Sequence, residues 1–329
     1  MIKLIRVGDP HCTVRNLSDS KKLIDFIVQK ALEYKVDRIE FMGDLFHTHA
    51  VKRIEVENFW INAFNTILEN NIKILTLCGN HDIPGSKELT HMSSLDIFKP
   101  YKDVTLIDTP RIIDNIGYIS FVFDNDKFIE AANKLYQQGA QKTLIAHQTF
   151  LGSTYDNGFY AEDGIDLNKI PQEQIISGHI HTQQIVGKCH FIGTPKWDTL
   201  SDANQEKGIW FYEHTKDGSV SQSEFISTRD IVTPINKYTL HEEDTEKLNI
   251  DVNSINYIEL IGKSSWIAKM KKIYKGTARI KTKPTDKKIS KVNQNSILSV
   301  QRFLETSFEP IKGINKSDIL NYLKDKCNV

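Results

Sequence analysis

Residues 77–85 read LCGNHDIPG, and this stretch closes the hydrophobic run ILTL of residues 74–77. A strand that needed only a turn would end in Gly with Asn or Asp. It would have no use for the imidazole of His81, which stands between Asn80 and Asp82. The stretch therefore predicts a buried strand whose end holds functional residues.

Four other places in the sequence repeat this pattern of a short apolar run followed by Asp, Asn or His. They are GDPH at 8–11, GDLFH at 43–47, HQT at 147–149 and GHIH at 178–181. Between residues 2 and 150 the apolar runs alternate with helical periods near 20–34 and 53–70, which indicates parallel strands joined by helices. Ligands bind where such strands end at their carboxyl edge, so we expect the five polar strand ends to meet there.

Shorter apolar runs follow the last of these motifs and predict a second, antiparallel-leaning sheet packed on the first. They are QQIVG at 183–187, CHFIGT at 189–194 and GIWFYEH at 208–214. The expected fold class is α/β, a two-sheet sandwich flanked by helices, with a small α+β C-terminal domain and terminal helices. The predicted domains are a catalytic domain at 1–228, a small basic β-α-β domain at 229–290 and C-terminal helices at 291–329.

Composition excludes a disordered chain and a membrane-embedded protein. The chain has 329 residues, a formal net charge of zero and 26% charged residues, as in an ordinary globular protein. No apolar stretch has the length of a signal peptide, and none approaches the roughly 20 residues that span a bilayer. The four cysteines form no CxxC pair, which fits a reducing compartment. A cytoplasmic protein that does not enter a membrane is expected.

The polar strand ends carry seven oxygen or imidazole ligands and no thiolate in a matching position. They are Asp9, His11, Asp44, Asn80, His147, His179 and His181. This mixture suits Mn²⁺, Fe²⁺ or Zn²⁺ better than Ca²⁺. Seven groups are too many for one tetrahedral ion, but they suit two divalent ions that share a carboxylate, roughly 3.5 to 4 Å apart. Asp44 is the natural bridge, and glycines before four of the ligands allow close backbone approach.

His81 and Asp82 are the predicted catalytic residues. Asn80 would coordinate a metal through its carbonyl oxygen, which leaves His81 free to address a substrate. The imidazole would stabilise the charge on a phosphorane-like centre or protonate the leaving oxygen. Asp82 would hold that imidazole in the useful tautomer and raise its pKa.

Taken in order, the motifs GDPH, GDLFH, GNHD, a His after a strand and GHIH resemble the calcineurin-like metallophosphoesterase superfamily over roughly residues 1–215. One such motif alone carries little weight, but five in order are a specific signal. The resemblance implies two sets of metal ligands that share one residue. The first set is Asp9, His11, Asp44 and His181, and the second is Asp44, Asn80, His147 and His179. It also implies that His81 is the catalytic imidazole.

A narrower resemblance lies within that superfamily, to the SbcD-type nucleases and their phage recombination endonuclease counterparts. GDLFH at 43–47, the stretch HQTFLGSTYDNGFYAEDG at 147–164, and IGTPKWDT at 192–199 with KGIWFYE at 207–213 carry it. The resemblance implies a nuclease that uses two divalent ions, Mn²⁺ first and Mg²⁺, Fe²⁺ or Zn²⁺ as alternatives, on double-stranded DNA ends. It also implies a homodimer, an ABC-type ATPase partner with coiled-coil arms, and the cytoplasm of a bacterium or phage-infected host. His47 departs from the superfamily, which usually has a second Asp there.

The region from 263 to 291 is strongly basic, with eleven Lys and Arg residues against the single acid Asp286. Such a run is usually a solvated face, but in a neutral protein it also fits contact with a phosphate backbone. The candidate DNA-binding residues are Lys269, Lys271, Lys272, Lys275, Arg279, Lys281 and Lys283.

Other segments keep two interpretations open. Tyr155, Phe159 and Tyr160 either pack locally within their loop or contact DNA. The apolar residues of helix 53–70 are mostly core, with an excess that fits a homodimer interface. The helices of 291–329 pack on the chain or grip a partner. Four further histidines are interpreted as ordinary, although the first two could line a substrate groove: His47, His49, His91 and His190.

Two rival functions remain at the level of sequence. A stand-alone phosphoesterase acting on small nucleotides or phosphoproteins would use the same metal ligands, but it leaves the basic region unexplained. A metal-free scaffold would have broken ligands, and none is broken here. The sequence contains no GxxxxGK[ST] loop, so any ATP dependence must come from another chain.

Overall fold

A computed structural model describes residues 1–49, 51–84, 92–244 and 248–286. The chain forms two compact units. The first consists of Met1–Lys237 and Asp251–Ile255, and the second consists of Tyr238–Ile250 and the residues from Asn256 onward. The division therefore falls at Lys237, later than the boundary at 228 expected from the sequence. The predicted helices at 291–329 lie outside the described residues.

Among the described residues up to 227, twelve strands and three α-helices build the first unit. In chain order they are β1 Ile2–Val7, α1 Leu17–Tyr34, β2 Arg38–Phe41, α2 Ile54–Glu69, β3 Lys73–Leu77, β4 Val104–Ile107, β5 Arg111–Ile113, β6 Ile116–Ile119, α3 Asn125–Gln137, β7 Thr143–His147, β8 Gln174–Gly178, β9 Gln184–Val186, β10 Cys189–Phe191, β11 Gly208–His214 and β12 Val220–Ser227. The later elements are β13 Ile235–His241, β14 Ile255–Gly262, α4 Ser264–Ile273 and β15 Arg279–Pro284.

The first sheet has the strand order β12-β11-β1-β2-β3-β4. Strands β1 to β4 are parallel, as the alternation of strands and helices predicted. Strand β11, the run GIWFYEH, pairs antiparallel with β1 and places Arg6 opposite Trp210. The expectation that this run belongs to the second sheet is therefore wrong, because its pairing partner lies some 200 residues away in the sequence and leaves no local signal.

The second sheet has the order β5-β6-β7-β8-β10-β9. Strands β6, β7, β8 and β10 are parallel to one another, and only the outer strands β5 and β9 pair antiparallel. The expected antiparallel-leaning sheet is thus mostly parallel. Strands β7 and β8, which end in two of the polar motifs, belong to this sheet, so the five motifs come from both sheets.

Each helix of the first unit buries one apolar face against a sheet. Helix α1 repeats its buried residues at helical spacing, with Leu23, Ile27 and Ala31 on that face. Helix α2 packs on the first sheet through Trp60, whose ring lies 5.5 Å from that of Phe41. Helix α3 begins at the cap Asp124, whose carboxylate accepts the backbone N–H groups of the first turn.

The core between the two sheets holds an apolar cluster to which both sheets contribute. Leu4, Leu75 and Leu77 of the first sheet pack against Ile145 and Ile176 of the second. With α1 and α2 outside the first sheet and α3 outside the second, the layers confirm the predicted two-sheet α/β sandwich flanked by helices.

The third sheet, with order β13-β14-β15, carries α4 between two parallel strands, which is the β-α-β arrangement expected from the sequence. Ile258 and Leu260 of β14 form a small core with Ile267 of α4 and with Tyr274. Within the part of the chain that the structure describes, no helix combines the length and apolar character needed to cross a membrane.

Candidate metal centre

The five polar motifs lie at the carboxyl ends of β1, β2, β3, β7 and β8. Asp9 follows the end of β1, Asp44 follows β2 and Asn80 follows β3, all in the parallel part of the first sheet. His147 closes β7, and His179 directly follows β8 in the second sheet. Because both sheets pack face to face, their carboxyl ends bring all seven predicted ligands together.

One group of three ligands consists of Asp9, His11 and His181, whose ligand atoms all lie within 4.8 Å of one another. The Nε2 atoms of His11 and His181 are 2.9 Å apart. His11 Nε2 also lies 3.5 Å from Asp44 Oδ2. One carboxylate and two imidazoles thus converge, with Asp44 next to them.

A second group consists of Asp44, His147 and His179. His147 Nε2 lies 3.4 Å from Asp44 Oδ2. The carbonyl oxygen of Asn80 is 3.1 Å from His147 Nε2 and 2.8 Å from His179 Nδ1. Asp44 is therefore close to both groups, as a bridging carboxylate must be.

The donor atoms fit divalent cations in chemistry as well as in number. Asp9 Oδ1 is buried and makes no hydrogen bond to the described residues. His147 Nδ1 lies 2.8 Å from the carbonyl oxygen of Met42. When Nδ1 donates to this carbonyl, the lone pair of Nε2 is directed toward Asp44 and Asn80. Imidazole nitrogen with carboxylate and amide oxygen is the mixture that Mn²⁺, Fe²⁺ and Zn²⁺ accept.

The electrostatics of the cluster also fit the binding of divalent cations. Burial lowers the pKa of His11 well below its usual range and that of His179 to about 3, so both imidazoles keep their lone pairs at neutral pH. Burial raises the pKa of Asp9 to about 6. Although burial opposes it, the charges of Asp44 and Asp9 raise the pKa of His147 to about 9. Two buried carboxylates thus draw positive charge into the cluster, which a metal ion would supply.

The backbone at this site is strained and tightly packed. His11, Asp44 and His179 have φ angles of 40°, 51° and 76°, in the left-handed region that favours glycine. A Cβ atom at Gly79 would lie 2.0 Å from Asp44 Oδ1, so only glycine fits beside that carboxylate. The strained ligands and the close approach indicate a site whose geometry the surrounding fold imposes.

His81 lies against the cluster but is oriented differently from the prediction. Its Nδ1 atom is 2.6 Å from the carbonyl oxygen of His47, and its backbone N–H donates to Asp44 Oδ1 at 2.8 Å. Its ring stacks on that of His49 at 4.2 Å between centroids. Burial lowers the pKa of His81, whereas the prediction was that Asp82 would raise it.

Asp82 does not contact the imidazole of His81, and this part of the prediction is wrong. Its buried carboxylate accepts the backbone N–H groups of Gly79 at 3.0 Å and Phe46 at 3.1 Å, with Leu45 at 3.4 Å. The reason is geometric, because the turn after β3 directs the Asp82 side chain inward. Asp82 therefore joins two ligand-bearing loops, and the carbonyl of His47 is the group at His81 Nδ1.

The additional histidines divide between the site and the rest of the fold. The ring of His47 lies 5.4 Å from that of His11, so His47 and His49 line the cluster, which the sequence allowed for as a substrate groove. His190 lies on β10, where its Nδ1 is 3.0 Å from the hydroxyl of Tyr212. His91 lies outside the described residues.

Sequence reasoning missed Asp156. Its Oδ2 atom lies 3.0 Å from Nδ1 of His181. Although burial would lower it, the hydrogen bond that His181 donates to Asp156 and the charges of nearby carboxylates raise the pKa of His181. The only signal was the YDNG turn within the stretch 147–164, which marks a tight loop but names no partner for its Asp.

The aromatic residues of the same loop have separate environments. Tyr155 packs against the core of the second sheet, which agrees with the local-packing interpretation. Phe159 and Tyr160 are 71% and 72% exposed, so neither packs locally. Contact of Phe159 and Tyr160 with DNA therefore stays a prediction.

All seven candidate DNA-binding residues are exposed, but they form two groups on different elements. Lys269, Lys271 and Lys272 lie on α4, with Lys275 just beyond its end. Arg279, Lys281 and Lys283 alternate along β15 and share one face of the third sheet. On that face Lys283 lies 3.0 Å from Glu259, and Arg279 donates to the hydroxyl of Tyr257 at 2.7 Å.

Comparison with known proteins gives a family and several distant relatives. The calcineurin-like phosphoesterase family profile matches residues 2–183. Exonuclease subunit 1 of Enterobacteria phage T4 is 22% identical over 303 residues, which cover 80% of this chain and 86% of that protein. The DNA double-strand break repair protein Mre11 of Nanoarchaeum equitans is 22% identical over 298 residues, 81% of this chain and 78% of that protein. Mre11 of Methanocaldococcus jannaschii is 29% identical over 199 residues, 54% of this chain and half of that protein.

Proposed function

Because this chain belongs to the calcineurin-like phosphoesterase family, we propose that it is a two-metal DNA phosphodiesterase, the nuclease subunit of a recombination or repair complex that processes double-stranded DNA ends. The family membership confirms the resemblance drawn from the five motifs. The observation that carries the proposal is the convergence of the seven predicted ligands, six of them in two groups of three on either side of Asp44.

Asp9, His11 and His181 would hold one ion, and Asn80, His147 and His179 the other, with Asp44 between them. When bound, the two ions would act as Lewis acids that polarise the phosphate and activate the attacking water. Mn²⁺ is the first choice for both positions, and Mg²⁺, Fe²⁺ and Zn²⁺ are alternatives.

The catalytic imidazole is that of His81. With Nδ1 donating to the carbonyl of His47, the ring leaves Nε2 for the substrate. A proton taken up at Nε2 makes the ring an imidazolium, which stabilises the charge on the phosphorane-like centre or passes that proton to the leaving oxygen. Asp82 acts by holding the loops of Gly79 and Phe46 together.

DNA is the proposed substrate for two reasons. The relatives that match most of this chain are named as an exonuclease subunit and a double-strand break repair protein. The second unit exposes a concentration of Lys and Arg that suits a phosphate backbone. An ATPase partner and a homodimer belong to the same proposal; Ile54 of α2 is 72% exposed and is a candidate contact for the dimer.

The test is cleavage of linear double-stranded DNA and of a small chromogenic phosphodiester by the purified chain with Mn²⁺. Asp44→Asn removes the bridging charge and should lower both activities by about a hundredfold or more, since the ions contribute several kcal/mol to the transition state. The matched control Asp103→Asn, at an exposed carboxylate, should act like the wild type.

Turnover of the small diester without DNA cleavage, with and without a candidate ATPase, would contradict the DNA proposal and favour the small-substrate phosphoesterase. Retention of both activities in Asp44→Asn would contradict the metal centre itself.

A further inference from the structure

His181 is held from both sides of its imidazole ring. On one side its Nε2 atom faces Nε2 of His11 at 2.9 Å, within the group that also contains Asp9. On the other side its Nδ1 atom lies 3.0 Å from Oδ2 of Asp156. A neutral imidazole that donates from Nδ1 must present a lone pair at Nε2, so this contact selects the tautomer that can bind a metal.

Asp156 is itself held firmly. Its other oxygen accepts the hydroxyl of Thr182 at 3.0 Å. It belongs to a small hairpin, Thr154–Tyr160, closed by a bridge between the terminal residues and by the N–H of Tyr155 donating to the carbonyl of Phe159 at 2.9 Å. The carboxylate therefore comes from an ordered element and does not depend on a long, mobile side chain.

The base of this hairpin is tied to the chain that follows His181. The side chain of Gln184 accepts the N–H of Thr154 at 2.9 Å and donates to the carbonyl of the same residue at 2.8 Å. Together with the hydroxyl of Thr182, these bonds connect the hairpin at three points to the residues that follow the GHIH motif.

The other carboxylate near His181 is already engaged. Asp202 lies 2.7 Å from Nζ of Lys207 and accepts the backbone N–H groups of Asp198 and Thr199 at 3.1 and 2.8 Å. Lys207 also donates to the backbone carbonyl of His181 at 2.9 Å, which fixes the backbone and leaves the ring to Asp156.

We propose that Asp156 is the positioning residue of His181 and that it makes the hairpin Thr154–Tyr160 a structural part of the metal centre. The inference rests on the proposed two-metal function. A carboxylate on the outer nitrogen fixes the ring orientation and makes the inner nitrogen a stronger ligand, and removal of such a partner typically costs 10- to 100-fold in metal affinity.

The experiment measures Mn²⁺ binding to the full purified chain by titration calorimetry, with free Mn²⁺ counted by electron paramagnetic resonance. In Asp156→Ala we expect one of two dissociation constants to rise by about 10- to 100-fold and the other to stay at the wild-type value. Asp156→Asn keeps an oxygen that accepts from Nδ1 and should lose less. Asp163→Ala, an exposed carboxylate in the same loop, should match the wild type.

Two results would overturn the inference while leaving the proposed function intact: unchanged affinity at both sites in Asp156→Ala, or equal weakening at both. Wild-type protein that binds no Mn²⁺ would overturn the proposed function and this inference together. Circular dichroism of each variant distinguishes a folded protein with a weakened site from an unfolded one, and Asp156→Asn keeps the test valid should the alanine variant unfold.

Discussion

The carboxylate of Asp82 connects two ligand-bearing loops, because it accepts backbone N–H groups from both. Gly79 lies in the loop after β3, while Leu45 and Phe46 lie in the loop after β2. Asp44, which stands near both groups of ligands, is in the second of these loops. Single residues outside the ligand set thus decide how accurately the ligands are placed.

Replacing Asp82 by Ala should lower the free energy of unfolding by about 3 kcal/mol, because it leaves buried N–H groups without an acceptor. Asp82→Asn keeps one acceptor oxygen and should lose less. The measurement is urea denaturation in the presence of a chelator, so that metal release does not contribute. Asp103→Ala, at an exposed carboxylate, is the control, and equal stability of Asp82→Ala and this control would contradict the prediction.

At the scale of elements, strands β1, β2 and β11 share a buried charged network. Glu40 lies 2.7 Å from Nε of Arg6 and 2.7 Å from Nε of Arg38. Burial opposes ionisation, but these two guanidinium groups lower the pKa of Glu40 to about 2. Arg6 also lies 2.9 Å from Nε2 of His214 on β11, while His214 Nδ1 is 3.0 Å from the carbonyl of Gly218. Arginine can only donate, so His214 is neutral and accepts through Nε2.

The pH dependence of stability follows from this contact. Burial, with the charge of Arg6, lowers the pKa of His214 from 6.5 to about 4. A lowered folded pKa means that the unfolded chain binds the proton first, so the contribution is complete above pH 6.5 and is lost as the pH falls toward 4. The loss is at most about 3 kcal/mol, which corresponds to the size of the shift.

His214→Gln can still accept from Arg6 but does not titrate, so its stability should fall less than that of the wild type between pH 6.5 and 4. Urea denaturation of both proteins across this range, with chelator, measures the difference. An exposed histidine supplies the matched control, His241→Gln. Parallel curves for wild type and His214→Gln would exclude His214 as the titrating group.

At the scale of the whole molecule, the predicted ligands belong to the first unit and the seven candidate DNA-binding residues to the second. The rate of hydrolysis and the affinity for DNA should therefore respond to different substitutions. A change in the second unit should alter binding without altering the hydrolysis of a small diester.

Replacing Lys269, Lys271 and Lys272 of α4 together by Ala should weaken binding to double-stranded DNA and make it less dependent on salt. For every phosphate that these lysines neutralise in the wild type, the negative slope of log affinity against log salt should become shallower by about 0.9 in the variant. The measurement is fluorescence anisotropy in the Asp44→Asn background, which prevents cleavage. The control replaces exposed lysines of the first unit, Lys102, Lys134 and Lys216, and an equal effect in this control would contradict a role of α4 in DNA binding.

The sequence predicted the candidate ligands because they lie at strand ends. It did not predict contacts between side chains that are distant in the sequence. The seven predicted ligands share a position in the pattern of parallel strands, so their meeting could be expected from the sequence. A strand-end position identifies Asp82 but not its partners, and Asp156 has no such position. Their partners, the loop of Phe46 and the ring of His181, depend on turns whose direction the local residue types do not determine.

Local patterns along the chain were enough to predict the α/β class, the parallel order of β1 to β4 and the candidate ligands that the fold brings together, because hydrophobic periodicity and strand-end residues are local properties. Three features emerged from the folded molecule alone: GIWFYEH joins the first sheet, Asp82 braces two loops and Asp156 holds His181. Each of those contacts joins segments that are distant in sequence or depends on the direction of a turn. The energy of such a contact belongs to both segments together, so neither segment alone carries a pattern that predicts it.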